Sequence, residues 1–250
     1  MPGSVTSPAT RWAATLGRSV RLFRDFRVEQ SDPGRFYGAL ARDSVGQVTR
    51  YTRLDGAVML DVGGGPGYFH EAFQRAGATY FSLDADVGEL SGLGEILPGT
   101  VVGSGMQLPF ADDSFDLCYS SNVLEHVAEP WRMAEEMLRV TRPGGLVFIS
   151  YTVWFGPWGG HETSPWHYLG GARARARYRR RHGHDPKNKY GESLFAVTTA
   201  EGLRWARTQQ AAEVVATVPR YHPAWATWVL RVPVLREVVT WNLALVLRKR

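Results

Sequence analysis

Asp61-Val62-Gly63-Gly64-Gly65-Pro66-Gly67 carries the first chemistry legible in this chain. An acid precedes three glycines spaced at every second residue. Glycines so placed let the backbone turn tightly and approach a ligand where no Cβ would fit. Dinucleotide sites space theirs G-x-G-x-x-G. Here the third glycine comes one residue early, and the leading acid is a further difference. An anionic pyrophosphate favours an uncluttered helix N-terminus. Asp61 suits instead a ligand whose nearby portion carries an ammonium and a sulfonium. Asp84, seventeen residues after Gly67, offers a carboxylate that can accept two hydrogen bonds from a ribose diol. Asp86 is the alternative for that role, although it also reads as a helix N-cap, a position that Asp favours.

The elements around these residues follow from the apolar pattern. Ala57 to Val62 is a short apolar run ending in glycines, as in a strand buried on both faces. Tyr68 to Ala76 reads as a helix, Thr79 to Leu83 as a strand, Val101-Val102 as a third strand and Phe115 to Ser120 as a fourth. A helix then runs through Val140, Pro143-Gly144-Gly145 turns the chain, and Leu146 to Tyr151 is a fifth strand. Strands alternating with helices imply right-handed crossovers and a parallel sheet. Upstream, residues 11–27 read as an amphipathic helix with Trp12, Leu16, Val20 and Phe23 on one face. A second helix spans Arg35 to Tyr51. Downstream, residues 152–197 break the rhythm and read as an insertion holding Trp154, Trp158 and Trp166. It resumes with a helix near Thr199 to Gln209, a strand near Glu213 to Val218 and a last, antiparallel strand near Val238 to Leu247. The fold class is therefore α/β, a doubly wound and mostly parallel sheet of seven strands. One domain spans 11–250: an N-terminal helical cap (11–56) folding over the ligand pocket, a binding core (57–151), a substrate-side insertion (152–197) and completion of the sheet (198–250). Residues 1–10, rich in Pro, Ser and Thr, read as a disordered tail.

Composition narrows the classes further. A single cysteine, Cys118, excludes an internal disulfide and a cysteine-based zinc cluster, and fits a reducing cytoplasm. No apolar h-region follows the start, so no secretory signal is expected. No run of 18 apolar residues occurs, so no membrane span is expected. The net charge of +5 is concentrated in Arg11 to Arg27 and Arg173 to Arg181. Such patches favour an acidic partner, or are simply solvated.

The run from Asp61 through Ser150 resembles the cofactor-binding half of class I S-adenosylmethionine (SAM)-dependent methyltransferases of the small-molecule type. The resemblance rests on the D-x-G-x-G-x-G loop, Asp84, Leu108-Pro109-Phe110, Ser114-Phe115-Asp116, Asn122 to His126 and Arg142-Pro143-Gly144-Gly145, in the expected order. Asp61 to Phe69, the Asn122 to Val127 region, the insertion from Tyr151, Arg35-Phe36-Tyr37 and Ser193-Leu194-Phe195 resemble a set of uncharacterised actinobacterial methyltransferases. The resemblance implies a Rossmann-like fold and SAM as cofactor. It implies that Gly63, Gly64, Gly65 and Gly67 pass beneath SAM and that Asp61 faces its methionine end. Asp84 and Ala85 would meet the ribose, Gly105 and Met106 would flank the adenine, and Ser121 and Asn122 would approach the methionine moiety. Tyr37 offers a phenol to the cofactor. Ser104 departs from the family, which carries there an acid that accepts from the adenine amino group; a serine hydroxyl also accepts.

Methyl transfer from a sulfonium is an in-line displacement that needs alignment above all, with a base where the acceptor is a hydroxyl. His126, His161, Glu162 and His167 are the catalytic candidates. No metal is expected, because His161, His167, His182 and His184 are irregularly spaced. The tryptophans and arginines of the insertion fit a small-molecule or lipid-like acceptor with an apolar body and an anionic group. The basic helix at 11–27 allows peripheral contact with a membrane. Three rival readings stand beside this one. An RNA methyltransferase lacks the acid/Asn-Pro-Pro-aromatic loop of the amino-group enzymes, where this chain reads Ser120-Ser121-Asn122-Val123. A non-catalytic SAM-fold binding protein would not need the intact loop. A dinucleotide oxidoreductase is disfavoured by the glycine spacing and by the missing hydride-relay motif.

Overall fold

The structure is a computed structural model, and it describes residues 12–29, 31–92, 94 and 96–250. The tail at 1–10 and the first residue of the expected N-terminal helix lie outside the described residues. Seven strands form one sheet in the order β3-β2-β1-β4-β5-β7-β6. They are β1 (Val58–Val62), β2 (Thr79–Asp84), β3 (Thr100–Val102), β4 (Phe115–Ser121), β5 (Thr141–Thr152), β6 (Ala212–Pro219) and β7 (Asn242–Lys249). The first five pair in parallel, and β7 runs antiparallel to both β5 and β6. This is the doubly wound α/β sheet expected, antiparallel strand included. From β1 the chain winds out through β2 to β3, then returns to place β4 on the other side of β1. Ligands of open α/β sheets sit at such a reversal, outside the carboxyl ends of the strands.

Both faces of the sheet are covered. Leu60, Val62, Cys118, Val147 and Ile149 face α5 (Pro130–Val140) and α7 (Thr199–Thr208), packing on Met133, Met137, Leu203 and Ala206. The alternate residues Met59, Leu117, Tyr119, Leu146 and Phe148 face α1 (Leu16–Phe26), α2 (Pro33–Val48) and α3 (His70–Arg75), meeting Leu22, Phe36, Leu40 and Phe73. Burial on both sides is why these strands read as continuous apolar runs. Among the described residues no helix is long and apolar enough to cross a membrane.

Several bounds differ from the sequence reading, among them that of β5, which starts at Thr141 and runs through the expected turn at Pro143-Gly144-Gly145. Two of the differences have a clear cause. The first helix starts only at Leu16, where the Thr15 side chain caps it by accepting from Arg18 N. Its buried face carries Arg18 and Leu22, while Leu16, Val20 and Phe23 are exposed. Arg18 is the cause. Its Nε and Nη2 grip the Asp43 carboxylate of α2 at 2.7 and 2.6 Å, and a bidentate pair of this kind fixes geometry tightly. It turns the helix by its charge, against the apolar stripe. The last strand likewise starts late, at Asn242, because Leu235–Val239 forms a short helix, α8. Glu237 of α8 accepts from the backbone N–H groups of Thr199 and Ala200, both at 2.8 Å, and so caps the start of α7.

At the carboxyl ends of β4 and β5 lies Arg220, 1% exposed. Its Nη1 donates to Ser121 Oγ and Ser150 Oγ (2.7 and 2.5 Å), and its Nη2 to Ser44 Oγ and Tyr119 OH (2.8 and 2.9 Å). Replacing Arg220 with Met removes the charge and leaves these hydroxyls facing an apolar chain. The unfolding free energy should fall by about 3 kcal/mol or more, read as a lower urea midpoint at unchanged slope. An unmoved midpoint would mean the hydroxyls satisfy one another without the guanidinium.

Candidate active site

The glycine loop leaves β1 at Val62, whose carbonyl accepts from Ser120 Oγ of β4 at 2.8 Å. Gly63 and Gly64 then donate to the Leu83 carbonyl at the end of β2 (2.7 and 3.3 Å). Gly63 has φ +79°, and any Cβ there would collide with Val123, just beyond β4. Gly65 has φ +51°, but a Cβ on it would meet nothing within 4 Å. One glycine thus lets two strand ends close together, and the other faces open space suited to a ligand.

Asp84 completes the cradle. One oxygen accepts from Gly65 N and the other from Asp86 N, each at 3.0 Å. A carboxylate has about four acceptor positions, so two stay available to a diol. Asp86 takes the capping role: it accepts from Gly88 and Glu89 at the start of the short helix α4 (Val87–Leu90). Ala85 is exposed between the two acids. Asp61 sits behind the loop rather than on its surface, 2% exposed and accepting from Tyr80 OH at 2.5 Å. Burial pushes its carboxyl up to about 7; the Asp84 charge adds to the rise, while the Tyr80 hydrogen bond and the Arg220 charge oppose it.

The other cofactor candidates fall around this loop. Gly105 packs against Val62 and Met133 too closely for a larger residue to fit without movement. Ser104 Oγ accepts from Met106 N at 3.2 Å, so one of its acceptor positions is used within its own turn. Tyr37 stacks on Tyr68, beside Gly67, with ring centroids 4.8 Å apart. Its hydroxyl donates to Glu29 at 2.7 Å, so the phenol already has a protein partner. The Ser121 side chain is held by Arg220. Asn122 adopts φ +58°, a conformation Asn tolerates. Its side chain is held by Asn242 Nδ2 at 2.7 Å and by Tyr221 OH at 3.3 Å.

The structure brings together two of the four catalytic candidates. His126 and His161 meet edge to face, their centroids 5.0 Å apart, with Glu125 beside them. Burial, then the neighbouring His126 and His167, drive the His161 imidazole down to about 3. Glu162 instead turns outward to Asn188 Nδ2 at 2.9 Å. His167 lies buried behind Trp154, its own proton affinity lowered by that burial. The insertion is also less cationic than its sequence. Arg175 is paired with Asp185 and Glu192, and Arg177 lies over the Trp166 ring at 3.9 Å.

Residues 60–149 match the profile of a methyltransferase domain. An "uncharacterized methyltransferase" of Mycobacterium marinum is 57% identical over 247 residues, covering 95% of this chain and 96% of that one. Its counterpart in Mycobacterium tuberculosis H37Rv is 57% identical over 244 residues, covering 94% and 95%. The chain belongs to the methyltransferase family. Its fold is shared by the SAM-dependent methyltransferase from Mesorhizobium loti, with a TM-score of 0.57, 20% identity, and coverage of 84% and 98%.

In this methyltransferase several residues at the site had no sequence signal of their own. Arg220 and Tyr221 sit in a Pro-punctuated link, and Asn242 reads as an interruption of an apolar strand. Trp241 packs on Trp158 at 4.5 Å, on Phe26 at 4.8 Å and on Tyr221 at 5.1 Å, an aromatic wall built from four separate segments. Glu125 had one available signal: its place beside His126 at the end of β4.

Asp61 gives a pH-dependent test. The folded chain holds this proton up to about pH 7, whereas an unfolded Asp releases it near 3.9. Its contribution to stability therefore declines as pH rises across that window, and the cost is complete above it. Asp61→Asn, which keeps an acceptor for Tyr80, should gain stability relative to the native chain between pH 5 and pH 8, on the order of 2 kcal/mol. Denaturant titrations at the two values check it, and an equal difference at both would refute the buried-proton account.

Proposed function

We propose that this methyltransferase binds SAM over the Gly63 to Gly67 loop and passes its methyl group to a small or lipid-like acceptor with an apolar or aromatic body, in the cytoplasm. The reading is carried by the open face of Gly65 beside the free acceptor positions of Asp84. SAM supplies a methyl carbon activated by the adjoining sulfonium, and its transfer is an in-line displacement that leaves S-adenosylhomocysteine. Asp84 holds the ribose hydroxyls, Ala85 lies alongside, and Gly105 with Met106 flanks the adenine. Asp61 acts from behind the loop, through its hold on Tyr80. Asn122 and Ser121 border the methionine end, each fixed in place by its own protein partners.

The acceptor lies against Trp158, Trp241, Phe26 and Tyr221, which adjoin Asn122 through the Tyr221 hydroxyl. Such rings give broad stacking area at little entropic cost. Where the acceptor is a hydroxyl or amine, His126 takes its proton. The Nδ1 of His126 is held by the Ser193 carbonyl at 2.7 Å, which leaves Nε2 to accept. His161 resists protonation too strongly to share that task.

Calorimetry should show SAM binding in the micromolar range, and Asp84→Ala should weaken it by about 1.5–3 kcal/mol. No heat at millimolar SAM would end the proposal. Screening acceptors by release of S-adenosylhomocysteine should favour aromatic or long-chain compounds. Trp158→Ala should raise KM for the best of them about tenfold or more while leaving SAM affinity unchanged. Equal turnover of small polar acceptors would remove the aromatic wall from recognition.

A further inference from the structure

The cluster at the end of β4 holds more than a proton acceptor. Glu125 is 1% exposed; its Oε1 accepts from Thr152 N at 2.9 Å, and its Oε2 has no partner. His126 is held by the Ser193 carbonyl through Nδ1. His161 presents a buried Nε2 without a partner, while only Asn188 Nδ2 approaches its Nδ1, at 3.5 Å. One ligand atom from each of the three lies within 4.8 Å of the others. An ordinary buried network would pair the carboxylate with a ring N–H. Here the carboxylate oxygen and the His161 nitrogen are both left unpaired, although burying such a group unsatisfied costs about 1–3 kcal/mol.

We propose that Glu125, His126 and His161 form a site for a divalent transition-metal ion of the zinc class. Two imidazoles and one carboxylate are a common donor set for such ions, and three protein ligands leave a position for an outside oxygen. Ligands at about 2.1 Å from zinc stand about 3.4 Å apart, so closure asks each side chain to move by roughly an ångström. The outer contacts on two of the three match what metal-binding histidines and carboxylates use to fix their orientation: a backbone carbonyl on His126 and a backbone N–H on Glu125. The supporting segment is itself tied down, since Phe195 N donates to the Glu125 carbonyl at 2.8 Å. His161 holds a left-handed backbone (φ +48°), a strain that residues bear where the surroundings over-determine them. The position left open would take an outside hydroxyl or carboxylate oxygen. With an ion bound, His126 Nε2 would be a ligand and no longer a base, so the base role belongs to the ion-free chain. The acceptor's place on the ion rests on the methyl-transfer reading, and the ion site does not.

The test uses the full chain, stripped with a chelator and titrated with Zn2+ by calorimetry and with Co2+ by visible absorption. One ion per chain should bind with a Kd of about 10 µM or tighter, and Co2+ should show the d–d bands of a four- or five-coordinate site. His161→Ala and Glu125→Gln should each weaken binding about thirtyfold or more and abolish those bands. Glu125→Gln keeps an oxygen for Thr152 N, so it carries the test if the other variant fails to fold. His182 and His184 stack around Tyr178 at the exposed end of α6 (Gly171–His182) and are the competing place for an ion; replacing both with Ala should change nothing. No ion bound at 100 µM, binding unchanged in both cluster variants, or binding lost with His182 and His184, would each overturn the site. SAM affinity measured on the stripped chain keeps this outcome separate from that of the proposed function.

Discussion

A buried guanidinium whose hydrogen-bond partners are all neutral hydroxyls is the constraint on which this architecture turns. Burial works against the charge of Arg220, and the surrounding Tyr119, Tyr221 and Asp43 hold it in place. Removing such a group from water costs several kcal/mol, and each hydrogen bond to it returns about 1.5–3 kcal/mol. The charge is tolerable only with most of its partners present at once. Those partners come from α2 (Ser44), β4 (Tyr119, Ser121) and β5 (Ser150), while Arg18 of α1 donates to the Arg220 carbonyl at 2.9 Å. One residue, through its side chain and its carbonyl, thus brings five separate segments together at the carboxyl end of the sheet.

The site inherits its geometry from that meeting. With Ser121 held by Arg220, Asn122 must turn immediately after it, and Tyr221 and Asn242 receive its amide on the far side. Val123 then stands against Gly63, so the loops leaving β1 and β4 close on each other with only a glycine between them. A further turn of chain presents Glu125 and His126 to the insertion, where His161 waits. The glycine loop and the histidine cluster thus leave the carboxyl ends of two adjacent, braced strands.

The parts legible in the sequence were those set by local rules. Glycine spacing marked the loop, Asp84 followed it at the expected distance, and apolar runs without alternation gave a sheet covered on both faces. Asp86 proved to be the cap its type favours. What escaped was set by contacts distant along the chain. The face of α1 depends on Asp43 pulling Arg18 inward, against an apolar stripe that pointed elsewhere. The boundary of β7 depends on Glu237 capping a helix far upstream. Glu125 looks like surface charge until Thr152 claims one of its oxygens. Arg175 and Arg177 look available to a ligand until Asp185, Glu192 and Trp166 occupy them. Charged side chains caused most of these misreadings, because periodicity describes what water excludes and says little about what an ion pair draws in.

The strand order also imposes a timetable. Among the described residues β6 pairs with no strand but β7, which is the later of the two in the chain. While the protein is being synthesised, β6 leaves the ribosome with no neighbour to receive it, and β5 keeps an open edge towards the same gap. Unpaired edges of this kind template pairing with other chains. The sheet is sealed only when β7 slots between them, so the nascent protein passes through a stage that holds a nearly finished cofactor cradle beside two unprotected strands.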